Sequence, residues 1–153
     1  MKKSLDYIGQ SAVIMLGGFV LFNVAFILAF GVHTVSSLTI MPWVKGLIDP
    51  DSVLFSWHYI YMILIMLISV VVLRLNLSPL IKATYLTMPI MVFLVEIGLN
   101  FYLYQPVVIG LSIAFITLLL LLIYKKKLPW QYYFSTLYVA ILAVIIMVMD
   151  IQI

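Results

Sequence analysis

The sequence predicts an all-α polytopic membrane protein, a bundle of five transmembrane helices. First, 67% of its 153 residues are hydrophobic and only 8% are charged, a composition that no water-soluble domain of this size can bury. Second, the apolar residues fall into runs of about 20, the length that crosses a bilayer as a helix. Third, prolines and short polar clusters separate these runs. The predicted spans, within a single domain, are about 11–32, 52–73, 79–104, 106–124 and 129–149.

The first predicted helix, 11–32, carries small residues at helical spacing, which favour close packing against another helix. These residues are Ser11, Gly18, Ala25 and Ala29. The basic start imitates a signal peptide, but the apolar run continues without a small-residue cleavage site, so we expect a retained helix. Residues 33–51 form one long outer loop. Its segment 42–52 is apolar in part, and we expect it to lie on the membrane surface or to cover the helix ends as a lid.

The second predicted helix, 52–73, is stopped by the link 74–79, and the third, 79–104, is followed by a turn at Gln105-Pro106 so short that the chain must reverse. On the second helix, one face is shared by four residues at helical spacing. They are His58, Tyr61, Ile65 and Ser69. Ser78 and Pro79 then provide a helix cap and a first-turn proline, which together predict where the third helix begins.

The last two predicted helices differ in composition. The fourth, 106–124, is almost purely aliphatic, so we expect it to be the helix most exposed to lipid. The fifth, 129–149, begins at Pro129 and carries a second stripe of small residues. That stripe consists of Thr136, Ala140 and Ala143. Both small-residue stripes suit either packing within this chain or contact with another membrane protein.

The distribution of basic residues predicts the orientation. If the helices alternate in direction, seven of the eight basic residues fall on one side of the membrane and only Lys45 falls on the other. The seven are Lys2, Lys3, Arg74, Lys82, Lys125, Lys126 and Lys127. Basic residues favour the cytoplasmic side, so we expect the N-terminus inside and the C-terminus outside a cell membrane, an inner or plasma membrane of the bacterial type. Topology accounts for the net positive charge, and nucleic acid is not expected as a partner.

Glu96 is the acid that can reach neither surface of the predicted bundle. It lies four residues before Asn100, so the two side chains share a helical face. A charged group facing lipid costs on the order of 2.5 kcal/mol or more, so Glu96 must face other helices, water or a ligand, or be held neutral. It follows Lys82 by fourteen residues, roughly 21 Å at the helical rise, which predicts a position in the outer half of the bilayer core.

Three further polar residues are predicted at a similar depth, namely Asn100, Asn23 and His58. We expect them to line, together with Glu96, a polar pocket that opens towards the outside. Each also has a purely structural interpretation. The two asparagines suit hydrogen bonds between helices, His58 suits a side chain at the membrane interface, and Glu96 suits a hydrogen bond to a neighbouring helix.

Several chemistries are excluded or disfavoured by the residues present. The chain has no cysteine, which excludes disulfides, thiolate metal sites and cysteine nucleophiles. It contains no HExxH, GxSxG or phosphate-binding glycine motif within the spans, so no catalytic or metal-binding residue is assigned. Binding is therefore favoured over catalysis.

Two short motifs rich in proline and tryptophan occur in this chain. They are Pro42-Trp43 in the outer loop and Leu128-Pro129-Trp130 before the last span. Five spans in 153 residues with a long first outer loop is similar to the translocator protein family, also called the tryptophan-rich sensory proteins. The resemblance lies in architecture. It implies that a bundle of this size can enclose a pocket for a small ligand, and it carries over no site residue.

The sequence thus favours a membrane protein that binds or transports a small solute or cation at a pocket centred on Glu96. The chain is small for a self-contained carrier, so a homo-oligomer is expected. Two alternatives stay open. One is a regulatory, accessory or assembly subunit of a larger membrane complex. The other is a b-type haem or quinone protein that would use His33 and His58.

Overall fold

Five α-helices make up the part of the chain that the computed structural model describes, which is residues 2–40 and 57–148. They are α1 (Lys2–Val35), α2 (Trp57–Arg74), α3 (Pro79–Asn100), α4 (Gln105–Lys125) and α5 (Trp130–Val148). Those residues contain no strand, which confirms the all-α prediction over this part of the chain. The predicted lid at 42–52 and the predicted start of the second helix near Ser52 lie outside the described residues.

Length and composition set four of these helices apart. The helices α1 to α4 are each long and apolar enough to cross a membrane. The fifth, α5, is also apolar, although its stretch Trp130–Ile146 is shorter. Runs of about 20 apolar residues thus correspond to helices along the described chain, as the sequence predicts.

The first helix is longer than its predicted membrane span of 11–32. It begins at Lys2, and its first turns pack against α5, where the rings of Tyr7 and Trp130 meet edge to face with centroids 5.1 Å apart. At the other end, Ser36–Ile40 continue α1 as a short π-helix, where the sequence predicts a loop. Hydroxyls explain this extension, because the Thr39 side chain donates to the Val35 carbonyl one turn back and satisfies an acceptor at the helix end.

The third helix, α3, is the centre of the bundle and contacts all four other helices. It begins as predicted, since the Ser78 hydroxyl accepts a hydrogen bond from the Ile81 amide at 3.4 Å and Pro79 occupies the first turn. It ends at Asn100, earlier than the predicted end at Tyr104. The Tyr104 amide donates instead to the carbonyl of Phe101 at 2.8 Å in a tight turn that leads into α4.

α1 packs closely against α3. A Cβ atom placed on Gly18 would lie 2.9 Å from Oγ1 of Thr87, so only glycine allows this approach. Gly18 belongs to the small-residue stripe predicted on α1, and Ala25 of the same stripe is also buried. The stripe is therefore used for packing within the chain.

The fourth helix, α4, packs against α3 and α5 and is the least buried of the four long helices. Only Val108 and Ile123 are buried along its whole length. Most of the apolar surface of α4 is therefore left uncovered by the chain, while its predicted exposure to lipid stays a prediction.

Candidate functional site

The carboxyl group of Glu96 is held in the last two turns of α3, where the helix meets α2. Glu96 is 7% exposed, and the Oε1 atom of its carboxyl group lies 3.0 Å from Nδ1 of His58. The pair is an ion pair when the imidazole is protonated and a hydrogen bond when it is neutral. The buried acid thus faces another helix, as its position inside an apolar run requires.

Asn100 supports the same carboxyl group from one turn further along α3. Its Nδ2 atom donates to the Glu96 backbone carbonyl at 2.8 Å and to Oε2 of Glu96 at 3.3 Å. The two carboxylate oxygens of Glu96 therefore have different partners, His58 on one and Asn100 on the other. The shared helical face predicted from the spacing of four residues accounts for this contact.

His58 is directed to Glu96 by the way α2 packs. Tyr61, Ile65 and Ser69 are the buried residues of α2, and they continue the face on which His58 lies, as predicted. The His58 side chain is 30% exposed, and its ring lies against the indole of Trp57, with centroids 3.8 Å apart. One face of the imidazole is thus covered by an aromatic surface, while Nδ1 lies next to the acid.

A small cavity adjoins the Glu96 carboxyl group, and we call it the Glu96 cavity. Its volume is about 130 Å³, and it lies between α1, α2 and α3. Its walls are mostly aromatic or aliphatic, and Glu96, His58 and Tyr61 are the lining residues with polar side chains. The lining consists of Phe22, Ala25, Phe26, Ala29, Trp57, His58, Tyr61, Val92, Val95, Glu96 and Leu99.

Tyr61 is a site residue whose face of α2 is predicted by its spacing from His58, but whose place in the site is not. It is 4% exposed, lines the Glu96 cavity and donates its hydroxyl to the Ala25 carbonyl at 2.9 Å. Ala25 and Ala29 line the cavity from α1. The signal for these contributions was the small-residue stripe on α1, because small side chains leave the room that the Tyr61 ring and the cavity occupy.

Asn23 does not join the other predicted site residues. Its side chain is exposed, and its Nδ2 atom donates to the Phe19 carbonyl of its own helix at 2.8 Å. Of the four residues assigned from the sequence, the structure brings Glu96, His58 and Asn100 together and leaves Asn23 apart.

No group of three acidic, histidine or cysteine side chains within residues 2–40 and 57–148 comes close enough to hold a metal ion. His33, proposed with His58 as a haem-ligand pair, is exposed at the end of α1. Its ring contacts Trp57 edge to face, with centroids 5.1 Å apart, and Trp57 also contacts His58. The same indole therefore contacts both imidazoles.

A larger opening lies between α3, α4 and α5, and we call it the apolar groove. Its volume is about 390 Å³. Ser112 and Thr117 are the two lining residues with polar side chains. Two members of the second small-residue stripe, Ala140 and Ala143, lie in its wall. Part of the small-residue stripe on α5 therefore lines the groove, whereas the stripe on α1 packs against other helices of the chain.

Comparisons of the chain with protein-family models, with curated proteins and with solved structures found no match.

Proposed function

We propose that this chain is a multi-pass protein of the cell membrane that binds or transports a small cationic solute at the Glu96 cavity. The N-terminus lies in the cytoplasm and the C-terminus outside. The supporting observations for membrane insertion are the length and apolar composition of α1 to α4 and the exposure of large hydrophobic side chains over most of the helix surface. Lipid tails are the environment in which such a surface is stable.

The observation that carries the functional part is the position of Glu96 beside a cavity. Glu96 is one of the residues that line a volume of about 130 Å³, and its carboxyl group bonds to His58, which lines the same cavity. A buried acid in an apolar bundle is costly, and such residues are typical of binding and transport sites.

The other lining residues favour a cation as the ligand. Phe22, Phe26, Trp57 and Tyr61 contribute aromatic rings to the same cavity. Aromatic faces attract cations, and a carboxylate neutralises their charge. His58 lies 3.0 Å from Oε1 of Glu96, so an entering cation competes with the imidazole for the acid.

Binding to purified protein in lipid nanodiscs tests this proposal. Methylammonium and the alkali cations K⁺ and Na⁺ are titrated by isothermal calorimetry into wild-type protein and into Glu96→Gln. We expect at least one cation to bind to the wild type and to lose about tenfold or more of its affinity in the variant, since a hydrogen bond to a charged group contributes about 1.5–3 kcal/mol.

Asp6→Asn is the matched control. It makes the same change from carboxyl to amide at an exposed acid of α1, and it should leave the affinity unchanged. Equal affinities of wild type and Glu96→Gln for every cation, or no binding at all, would contradict the proposal.

A regulatory, accessory or assembly subunit is the second candidate. It is favoured by Ala140 and Ala143 in the wall of an open groove, because small residues allow a helix of another chain to approach closely. The partner would be a second copy or a different membrane protein. Co-purification of a stoichiometric partner in mild detergent supports this function, and a monodisperse single chain argues against it.

A b-type haem or quinone protein is the third candidate. Its test is the absorbance spectrum of protein expressed with haem available. A Soret band that disappears in His58→Ala would favour it, and a spectrum without such a band removes the haem version.

A further inference from the structure

We propose that the ligand is a single-chain amphiphile with a cationic headgroup, whose ammonium lies in the Glu96 cavity and whose alkyl chain lies in the apolar groove. The inference rests on the proposed function, because it needs a cation at Glu96. It adds the chemical class of that cation, a long-chain alkylammonium compound, and assigns a role to the groove.

The first argument is that the two openings share a wall. Val95 and Leu99 line both the Glu96 cavity and the apolar groove. They lie four residues apart on α3, so together they form one ridge along that helix. The ridge is not sealed, because Leu99 lies in the last turn of α3 and is 53% exposed. We place the alkyl chain over Leu99, where the ridge is exposed.

The second argument is the contrast in chemistry across that ridge. On one side lie a buried carboxyl group and aromatic rings, which suit an ammonium ion. On the other side lies a groove three times as large, about 390 Å³ against 130 Å³, whose lining is mostly aliphatic and holds no ionisable side chain. A small charged head beside a large apolar tail is the pattern of an amphiphile.

Gly98 provides a direct test of the groove. A Cβ atom on Gly98 would have no neighbour within 4 Å, so a larger side chain enters the groove without a clash at its base. Gly98→Leu therefore fills part of the groove. Gly110→Leu is the matched control, since Gly110 also has open space around it but lies outside both linings.

The experiment measures how ethylammonium and decylammonium displace radiolabelled methylammonium from protein in phosphatidylcholine nanodiscs. Empty nanodiscs correct for partition of the long chain into lipid. In the wild type and in Gly110→Leu, we expect decylammonium to compete at about tenfold lower free concentration than ethylammonium, because small gains per added carbon accumulate along a chain. In Gly98→Leu, this advantage disappears, while methylammonium still binds.

Each outcome supports or overturns a defined statement. If the chain-length advantage is absent in the wild type, or survives in Gly98→Leu, the amphiphile inference is wrong, although the cation site stands. If methylammonium does not bind, or binds Glu96→Gln equally well, the proposed function itself fails. A stoichiometric protein that co-purifies with the wild type and is lost from Gly98→Leu also overturns the inference, because the groove then holds a partner helix.

Ala143→Leu covers the case in which Gly98→Leu does not fold. It fills the same groove from α5, and its folding is checked by size-exclusion chromatography and by methylammonium binding. An undiminished chain-length advantage in a folded Ala143→Leu protein would likewise overturn the inference.

Discussion

His58 and Glu96 are 38 residues apart in the chain, yet Nδ1 of the imidazole lies 3.0 Å from Oε1 of the carboxyl group. This contact ties the first turn of α2 to the last two turns of α3. It also gives a buried acid in an apolar bundle a partner that can carry the opposite charge. The pair therefore has two roles, one in joining helices and one in preparing the acid for a ligand, and experiment can separate them.

A double-mutant cycle measures the first role. His58→Ala, Glu96→Ala and the double variant are unfolded by sodium dodecyl sulfate in mixed micelles. We expect a coupling free energy of about 0.5–3 kcal/mol, the range for residues in direct contact. Asp6→Ala with Glu96→Ala is the control cycle and should show no coupling, because Asp6 is exposed near the start of α1, at the end of the bundle where Tyr7 meets Trp130. Additive effects of His58→Ala and Glu96→Ala would mean that the contact contributes nothing to the fold.

The helices and their shared faces could be predicted because both depend on local sequence. Hydrophobic runs set the position of each helix, and a spacing of four residues places Glu96 and Asn100 together. The distance from His58 to Glu96 could not be predicted, since it depends on how α2 and α3 cross. The predicted depth in the membrane puts both residues near the same end of the bundle. The contact itself depends on tertiary packing.

Asn23 shows where reasoning from depth alone fails. Depth placed it near Glu96, but the direction of its side chain on α1 decides whether it can reach the site. Asn23 lies away from the small-residue stripe that contains Gly18 and Ala25, and the stripe is the face that packs. Its amide instead bonds to the Phe19 carbonyl. A prediction that required both the right depth and a place on the small-residue face of α1 would have left Asn23 out of the site.

The apolar groove was not predicted at all. An aliphatic residue that faces lipid and one that lines a groove have the same composition, so the residues of α4 carry no signal that distinguishes them. Gly98 has neither a charge nor a polar group, and only the arrangement of α3, α4 and α5 gives it a place in the groove wall.

The hydroxyl of Tyr61 is expected to stabilise the contact between α1 and α2. Tyr61→Phe removes the hydrogen bond to the Ala25 carbonyl without changing the shape of the buried ring. We expect a loss of about 0.5–1.5 kcal/mol in the free energy of unfolding. Tyr59→Phe on the same helix is the control, since Tyr59 is 47% exposed and should tolerate the change. Equal effects of the two substitutions would contradict a role for the bond.

The orientation in the membrane is tested by reporter fusions. The contact of Tyr7 with Trp130 places the starts of α1 and α5 at the same end of the bundle, as alternating helices require. The basic residues cluster at that end in the predicted topology, so fusions after Lys127 should report the cytoplasm and fusions after Ile153 the outside. The same side reported by both fusions would disprove the five-span arrangement.

The close contact of α1 with α3 gives the last prediction. Gly18→Ala places a Cβ atom 2.9 Å from Oγ1 and 3.2 Å from Cγ2 of Thr87. Thr87 cannot turn aside easily, because it is 3% exposed and its hydroxyl donates to the Thr84 carbonyl at 2.7 Å. Overpacking of this kind costs about 1–3 kcal/mol, which exceeds the gain of up to about 1 kcal/mol from replacing glycine by alanine in a helix.

Gly31→Ala is the matched control for this change. It lies on the same helix, is exposed and has no neighbour within 4 Å of an added Cβ atom, so it should keep the propensity gain without the clash. In unfolding by sodium dodecyl sulfate, Gly18→Ala should therefore be less stable than Gly31→Ala. Thr87→Ala should restore part of the loss when combined with Gly18→Ala, because it removes the two atoms that come closest. Equal stability of the two alanine variants would show that α1 and α3 can separate at Gly18 without cost, and the close packing would then contribute nothing to the fold.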